Sequence, residues 1–259
     1  MKQKLTKERP IKKLLVKIRQ KAGRGNTGRI TVRHKGGGVK KLYRLVDFRQ
    51  EKLDQPAKIL RFEYDPYRTA YLALLEYPDG EKRYILSPQG VKEGDEIIVS
   101  EKTKINLGNR MKIKNIPVGM MIHNIELEPG RGGQLIRSAG AVAKVLAQEE
   151  KYATVEMPSK EIRKIHKNCF ASLGMISNPE HNYQRIKNAG TNRRKGKRPT
   201  VRGSAMNPVD HPHGGGEGRT SIGLKAPKTP WGKLALGVKT RRRKVSNYLI
   251  IKRRTKKKK

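Results

Sequence analysis

Short runs in which hydrophobic and polar residues alternate occupy the middle of the chain. Five such runs lie at 43–48, 59–64, 70–77, 81–86 and 96–99. Alternation with a period of two is typical of half-buried β-strands, and Pro78-Asp79-Gly80 is a hairpin turn between the third and fourth runs. Short strands separated by turns at this spacing predict a small β-barrel.

A second set of alternating runs follows at 120–127, 141–147, 152–157 and 161–166. Turn-forming residues separate the last three of these runs, and the segment 105–117 interrupts the pattern between the two sets. We therefore predict a first barrel at 42–110 and a second β-module at 111–184.

The two ends of the chain lack a sustained period. Residues 1–41 are glycine-rich and predict an extended N-terminal arm with a short helix near 10–20. From Tyr183 onward, prolines recur among glycines and basic residues, which predicts a C-terminal arm at 185–259 without helix or strand. A free chain of this composition buries too little apolar surface to offset its ordering entropy, so the arm either stays disordered or becomes ordered on a polyanion.

Charge follows the same division. The chain of 259 residues has a net charge of +39. Residues 1–41 contain 15 Lys and Arg against one acidic residue, and 185–259 contain 24 against two, whereas 42–184 contain 22 against 19. The nearly neutral middle of the chain, 42–184, therefore carries two basic arms, and this excess of positive charge implies a polyanionic partner.

Cysteine content and hydropathy exclude some classes of protein. The single cysteine, Cys169, excludes a disulfide framework within the chain and predicts a buried structural thiol in a reducing compartment. Apolar runs fall short of the roughly 18–20 residues that span a bilayer, so we expect a soluble, unexported protein without a membrane partner.

Glycines beside basic residues recur at 36–38, 130–133 and 190–198. Glycine lets a main chain approach a phosphate closely, so these segments predict phosphate contacts, although none matches the phosphate loop of nucleotide hydrolases. With only thirteen aromatic residues, the chain favours recognition of RNA by shape and backbone over base stacking. Trp231 is the exception: it either stacks on a base or fastens the arm to the body.

The segment 201–219 is the richest in candidate chemistry, with Asp210, His211, His213 and three consecutive glycines. A metal site is one interpretation, but histidines at i and i+2 around a proline fit no common ligand spacing. A catalytic base is another, although no nucleophile lies beside it. We favour a structural loop lodged in folded RNA. His123, His166 and His181 lie on or beside predicted strands and are interpreted as structural or RNA-edge residues.

The segment 206–218 resembles the signature of the universal large-ribosomal-subunit protein two family, of the bacterial or organellar type. The resemblance extends in order over nearly the whole chain, including Gly28-Arg29-Ile30-Thr31, Asn115-Ile116-Pro117-Val118-Gly119 and Thr229-Pro230-Trp231-Gly232. The residues before Ala22 depart from it, because this opening is shorter than usual and lacks the usual prolines.

The resemblance implies a mainly β protein, with an OB-fold barrel followed by an SH3-like barrel and extended basic N- and C-terminal arms. It implies a structural constituent of the large ribosomal subunit that binds rRNA directly and supports subunit association, tRNA binding and the peptidyl-transferase region. The expected partners are large-subunit rRNA, other ribosomal proteins, and small-subunit rRNA at an intersubunit bridge. The expected location is the cytoplasmic ribosome of a bacterium or an organellar ribosome. No enzymatic activity, metal site or cofactor is expected, apart from Mg²⁺ associated with the rRNA.

The predicted site residues combine the basic positions with this resemblance, which by itself nominates Arg83 and Arg163. Residues expected to bind rRNA are Arg24, Arg29, Arg33, His34, Lys35, Lys40, Arg83, Arg131, Arg163, Arg193, Arg194, Lys197, Arg198, Arg202, Arg219, Trp231, Arg241, Arg242 and Arg243. The loop expected near the peptidyl-transferase region comprises Asp210, His211, His213, Gly214, Gly215 and Gly216.

Two other classes of function remain open at this level. One is an enzyme, either a peptidyl transferase or a metal-dependent nuclease, centred on Asp210, His211 and His213. The other is a free-standing nucleic-acid chaperone or DNA-compacting protein, which would bind duplex DNA and structured rRNA with similar affinity.

Overall fold

The computed structural model describes residues 3–238 and 245–254. Its strands are β1 (Leu15–Lys17), β2 (Leu42–Arg44), β3 (Ala57–Glu63), β4 (Leu72–Glu76), β5 (Lys82–Leu86), β6 (Glu96–Ile97), β7 (Arg110–Lys112), β8 (Met121–His123), β9 (Ile125–Glu126), β10 (Gly133–Leu135), β11 (Ala143–Gln148), β12 (Tyr152–Glu156), β13 (Ile162–His166), β14 (Phe170–Leu173) and β15 (Ile250–Lys252). The α-helix is α1 (Ala189–Arg194), and 3-10 turns lie at Lys12–Leu14, Ile113–Asn115, Pro179–Tyr183, Gly203–Ala205 and Val245–Leu249.

The first barrel is built on an antiparallel sheet in the order β5-β4-β3-β6. Its central strand β4 is buried on both faces, because Ala73 and Leu75 pack into one apolar cluster while Leu72 and Leu74 pack into another. A strand covered on both sides is expected to be a continuous apolar run, as β4 is.

The N-terminal segment closes one side of this barrel. The Thr6 N–H donates to the Phe62 carbonyl at 2.9 Å, the Ile11 N–H donates to the Tyr84 hydroxyl at 3.3 Å, and β1 pairs antiparallel with β2. The helix predicted near 10–20 is therefore wrong: a three-residue 3-10 turn leads directly into β1. Apolar side chains such as Leu14 are partly buried against the barrel in an extended segment instead.

The second barrel is built on a seven-stranded antiparallel sheet in the order β15-β13-β12-β11-β8-β14-β7. Its core contains Met111, Ile122, Val145 and Val155, and also Cys169, which is buried as predicted. The boundary predicted between residues 110 and 111 falls inside β7, since Arg110 and Met111 both pair with β14.

The chain divides into two compact units. The body comprises Met1–Arg19, Lys41–Arg185 and Ser246–Lys259, and the basic unit comprises Gln20–Lys40 and Ile186–Val245. The predicted N-terminal arm is thus shared between them, and the predicted C-terminal arm contains α1 and contributes β15 to the body. The expectation that no helix or strand persists there is wrong at these two elements.

The prediction of a mainly β protein with an OB-fold barrel followed by an SH3-like barrel is confirmed. In the part of the chain that the structure describes, every helix is too short or too polar to traverse a bilayer.

Candidate nucleic-acid interface

Several basic side chains of the two barrels are paired with carboxylates. The Arg83 guanidinium donates to Glu81 at 2.7 Å and to Asp47 at 2.8 Å, and these partners raise the pKa of Arg83 further above its ordinary value. Lys52 forms ion pairs with Asp79 and Glu81. Arg83 is therefore satisfied within the protein, and an RNA phosphate would have to share it with these carboxylates.

The other two predicted contacts in the body differ from Arg83. Arg131 pairs with Glu128 at 3.0 Å on the surface, where both side chains are exposed. Arg163 lies on β13 opposite Val155, and its buried Nε has no hydrogen-bond partner among the described residues. Of these three arginines, Arg163 has the least satisfied guanidinium.

The basic unit has almost no internal compensation for its charge. Its sequence contains 22 Lys and Arg against Asp210 and Glu217. None of the ion pairs found among the described residues involves it. The predicted basic residues described here are exposed: Arg24, Arg29, Arg33, Lys35, Lys40, Arg193, Arg194, Lys197, Arg198, Arg202 and Arg219. Arg241, Arg242 and Arg243 lie outside the described residues.

Tertiary structure brings several of these predicted residues together. A cleft of about 560 Å³ is lined by Arg24, Lys35 and Gly36–Gly38 from one segment and by Arg193, Arg194 and Arg198 from the other. Among the described residues, none that lines it is acidic. Guanidinium groups donate paired N–H groups to the oxygens of a phosphate, so a cleft lined by arginines suits phosphate recognition.

The glycines of this cleft serve a purpose that the sequence did not reveal. The Gly36 N–H donates to the Gly196 carbonyl at 2.8 Å, and the Val39 N–H donates to the Arg194 carbonyl at 3.0 Å. A Cβ at Gly38 would lie 2.6 Å from the Arg194 carbonyl oxygen. The glycines therefore let two main chains of the basic unit touch, and the Gly36 N–H is not available to a phosphate.

The glycine segment 130–133 also binds an oxyanion, which is a side-chain carboxylate of the protein itself. The N–H groups of Gly130 and Gly132 donate to the Glu126 carboxylate at 3.3 and 3.2 Å, and the Gly133 N–H donates to the Phe48 carbonyl at 2.8 Å. The interpretation of these N–H groups as phosphate donors is therefore wrong. Glu126 was not predicted as their partner, although it precedes the first of these glycines by four residues.

His211 and His213 organise their own loop. The His213 N–H donates to His211 Nδ1 at 3.0 Å, and the Lys228 N–H donates to His213 Nε2 at 2.8 Å. The His211 ring is 8% exposed and packs on Gly203, where an added Cβ would lie 2.5 Å from ring atoms. The two rings lie 4.6 Å apart, and a Cβ at Gly214 would lie 2.3 Å from the Asn207 carbonyl oxygen.

These contacts determine what the two imidazoles do. A nitrogen that accepts an N–H carries no proton, so His211 is protonated at Nε2 and His213 at Nδ1. Main-chain groups, rather than the exposed Asp210, hold these tautomers. Within the described ranges, no three His, Cys, Asp or Glu side chains come together as metal ligands would. The geometry supports the interpretation of 206–218 as a structural loop.

Two other predicted residues lie close to each other. The Arg33 guanidinium lies 5.7 Å from the centre of the Trp231 ring, within the range of a cation–π contact. The His34 ring approaches the Pro199 carbonyl at 3.3 Å. Trp231 remains 74% exposed, so it is not buried by packing.

Comparison with protein families gives two matches. The family model described as Ribosomal Proteins L2, RNA binding N-terminal domain, matches residues 11–99. The family model described as Ribosomal Proteins L2, C-terminal domain, matches residues 106–232. The first match covers the first barrel with β1 and β2. The second covers the second barrel from β7 to β14 and residues 186–232 of the basic unit.

Proposed function

The chain belongs to the ribosomal protein L2 family, and on that premise we propose that its body seats on folded rRNA while its basic unit enters between phosphates. Membership makes it a structural rRNA-binding protein of the large ribosomal subunit, with rRNA and other ribosomal proteins as partners. How the two units divide the work of binding is the proposed part.

The concentration of uncompensated charge carries this proposal. The basic unit has 22 Lys and Arg against two acidic residues, and its cations have no ion-pair partner among the described residues, whereas residues 42–184 have 22 basic against 19 acidic residues and several internal ion pairs. Cations placed against RNA phosphates release condensed counterions, so uncompensated cations contribute most to affinity. The basic unit is therefore the densest electrostatic contact, and the barrels supply placement.

We also propose finer roles within the ribosome for the segment 206–218 and for the protein as a whole. The segment 206–218 supports the peptidyl-transferase region and tRNA binding by its shape, and the protein assists subunit association through an intersubunit bridge to small-subunit rRNA. The ribosome is of bacterial or organellar type, and Mg²⁺ at the interface accompanies the rRNA. The resemblance of 206–218 to the family signature supports this part of the proposal.

Binding measurements test the proposal against a general nucleic-acid chaperone. We expect the full chain to prefer a large-subunit rRNA fragment over duplex DNA at physiological salt, with affinity that falls steeply as salt rises. We also expect it to sediment with large subunits and to remain there after a salt wash. Equal affinity for rRNA and duplex DNA would overturn the proposal.

The hydrogen bonds of the histidines define a separate test of catalysis. His211→Asn keeps an acceptor near Nδ1, and His213→Gln keeps one near Nε2, while both remove the imidazole. Because each histidine acts as an acceptor, we expect ribosomes with either variant to assemble and form peptide bonds at a nearly normal rate. Normal assembly with abolished peptide-bond formation would contradict the structural role. His211→Ala, which removes the acceptor, should impair assembly instead.

A further inference from the structure

The basic unit contains a second cleft whose chemistry differs from that of the arginine-lined one. It has a volume of about 430 Å³ and lies between residues 31–34 on one side and parts of 201–211 and 230–231 on the other. Most of its lining is apolar, from Val32, Val201, Met206, Pro230 and Trp231. Such a lining offers few hydrogen bonds to a phosphate, so the arginine-lined cleft is the better site for the RNA backbone.

Trp231 forms the aromatic wall of this cleft and is 74% exposed. Val32 and Val201 on the same cleft are also exposed. An indole left this open within a strongly cationic unit is a surface for a partner, because exposed apolar patches mark interaction sites. The Arg33 guanidinium at 5.7 Å from the ring places a phosphate-binding group directly beside this surface.

We infer that this cleft binds one unstacked nucleobase of the rRNA, stacked on the Trp231 indole, while Arg33 contacts the neighbouring phosphate. The inference depends on the proposed function for the identity of the partner as RNA. A base has the flat apolar face that the cleft accommodates. The phosphates of its backbone are negatively charged and are attracted to a unit with 22 basic and two acidic residues. None of the described residues that line this cleft is acidic, which matches this occupant.

Such a site adds a base anchor to a protein that otherwise recognises backbone and shape. Stacking on an aromatic side chain tolerates any base, because every base has a π-face. The cleft would therefore fix the position of a single nucleotide without reading its sequence. The alternative role for Trp231, as a fastener within the protein, conflicts with its exposure.

Trp231 is the only tryptophan of the chain, so its fluorescence reports on this site alone. We would titrate the full-length protein with a large-subunit rRNA fragment and follow tryptophan emission together with the anisotropy of the labelled RNA. We expect emission to be quenched in parallel with binding. Inorganic polyphosphate, which has charge but no bases, should bind without comparable quenching.

The outcomes separate this inference from the proposed function. RNA binding without quenching, or equal quenching by polyphosphate, would overturn the base site and leave the proposed function intact. Failure of the rRNA fragment to bind would overturn the proposed function, and the base site with it.

Variants give an independent readout. Trp231→Ala should weaken rRNA binding by about tenfold, within the range for one stacked base, and Trp231→Phe should restore most of the affinity. Leu236→Ala is the matched control, because Leu236 is also 74% exposed in the basic unit but does not line the cleft. An equal loss in Trp231→Phe, or in Leu236→Ala, would show that stacking at this cleft is not the cause.

Discussion

At the scale of single residues, the body contains charged groups that its core must satisfy internally. The Arg110 and Glu126 side chains are 0% and 2% exposed and form an ion pair at 3.1 Å. The Glu126 carboxylate also accepts the N–H groups of Gly130, Gly132 and Phe170. Burial lowers the pKa of Arg110 from its ordinary value, and the charge of Glu126 opposes this shift.

We expect Glu126→Gln to reduce the free energy of unfolding by about 3–5 kcal/mol, because it leaves the Arg110 charge buried without a counterion. Urea denaturation of the full chain measures the change. Glu128→Gln is the control, since the Arg131–Glu128 pair is exposed and should contribute at most about 1 kcal/mol. Similar losses in both variants would contradict this account.

His123 makes the stability of the body depend on pH. The ring is buried, and its Nδ1–H donates to the Gly174 carbonyl at 3.0 Å. Burial lowers the pKa of His123 from 6.5 to about 4. Between these two pH values the unfolded chain binds a proton at His123 that the folded chain does not. The contribution of His123 to the free energy of unfolding is therefore fully present above about pH 6.5 and is lost as pH falls toward about 4.

His123→Asn tests this dependence. Asparagine keeps a donor toward the Gly174 carbonyl and removes the titrating ring. From pH 7 to pH 5 the free energy of unfolding of the variant should therefore fall by about 2 kcal/mol less than that of the parent. Urea denaturation at both pH values and constant ionic strength gives the comparison. His34→Asn, at an exposed position, should keep the parent's dependence; an unchanged slope in His123→Asn would contradict the assignment.

At the scale of elements, the basic unit depends on close contact between two main chains. Gly38 has φ +65° and lies against the main chain of Arg194 and Gly196, where α1 ends. A side chain there meets both the strain of positive φ and the Arg194 carbonyl. A Cβ added at Gly37, by contrast, would meet no described atom outside its chain neighbours closer than the Gln20 side-chain oxygen at 3.8 Å.

We expect Gly38→Ala to separate residues 36–39 from 194–198, with a local cost of about 1–3 kcal/mol. Hydrogen exchange of the Gly36 and Val39 N–H groups should accelerate, because both donate across this contact. Gly37→Ala is the matched control and should leave exchange unchanged. Equal protection in the parent and in Gly38→Ala would show that the contact does not depend on this glycine.

The strands show what alternation predicts and what it does not. Each of the predicted runs overlaps an observed strand, from β2 to β6 in the first barrel and β8, β9, β11, β12 and β13 in the second. The missed strands β1, β7, β10, β14 and β15 have three or four residues and are recognised only by the strands with which they pair. A segment that short carries too little periodicity, and β15 pairs with β13 from about 90 residues further along the chain.

At the scale of the whole molecule, the distribution of unpaired charge determines how binding responds to salt. Each phosphate neutralised on RNA contributes roughly 0.7–0.9 to the slope of log affinity against log salt concentration. The exposed arginines of the 560 Å³ cleft are therefore expected to contribute to this slope. Cations that already pair within the body should contribute little.

We expect the double variant Arg193→Gln/Arg198→Gln to lower the slope by roughly 1.4–1.8 and to weaken rRNA binding at physiological salt. Filter binding over a range of salt concentrations provides the measurement. Lys52→Gln, which removes a cation paired with Asp79 and Glu81, serves as the control and should leave the slope unchanged. A smaller slope in the control than in the double variant would place the electrostatic contact on the body instead.

The β-rich barrels, the concentration of charge at the two ends and the family could all be predicted from the order of residues. These properties follow from local periodicity, composition and a contiguous signature, which are all present in the sequence. The rRNA-binding residues stay predictions.

Which polar groups are already satisfied within the protein became visible only in the folded chain. The N–H groups of Gly130 and Gly132 donate to Glu126, and Arg83 pairs with two carboxylates. His211 and His213 accept main-chain N–H groups. Residues 20–40 and 186–245 form one compact unit, in which the exposed Trp231 lines an apolar cleft. Each of these depends on contacts between residues distant in the chain, whose distances and burial no local pattern contains.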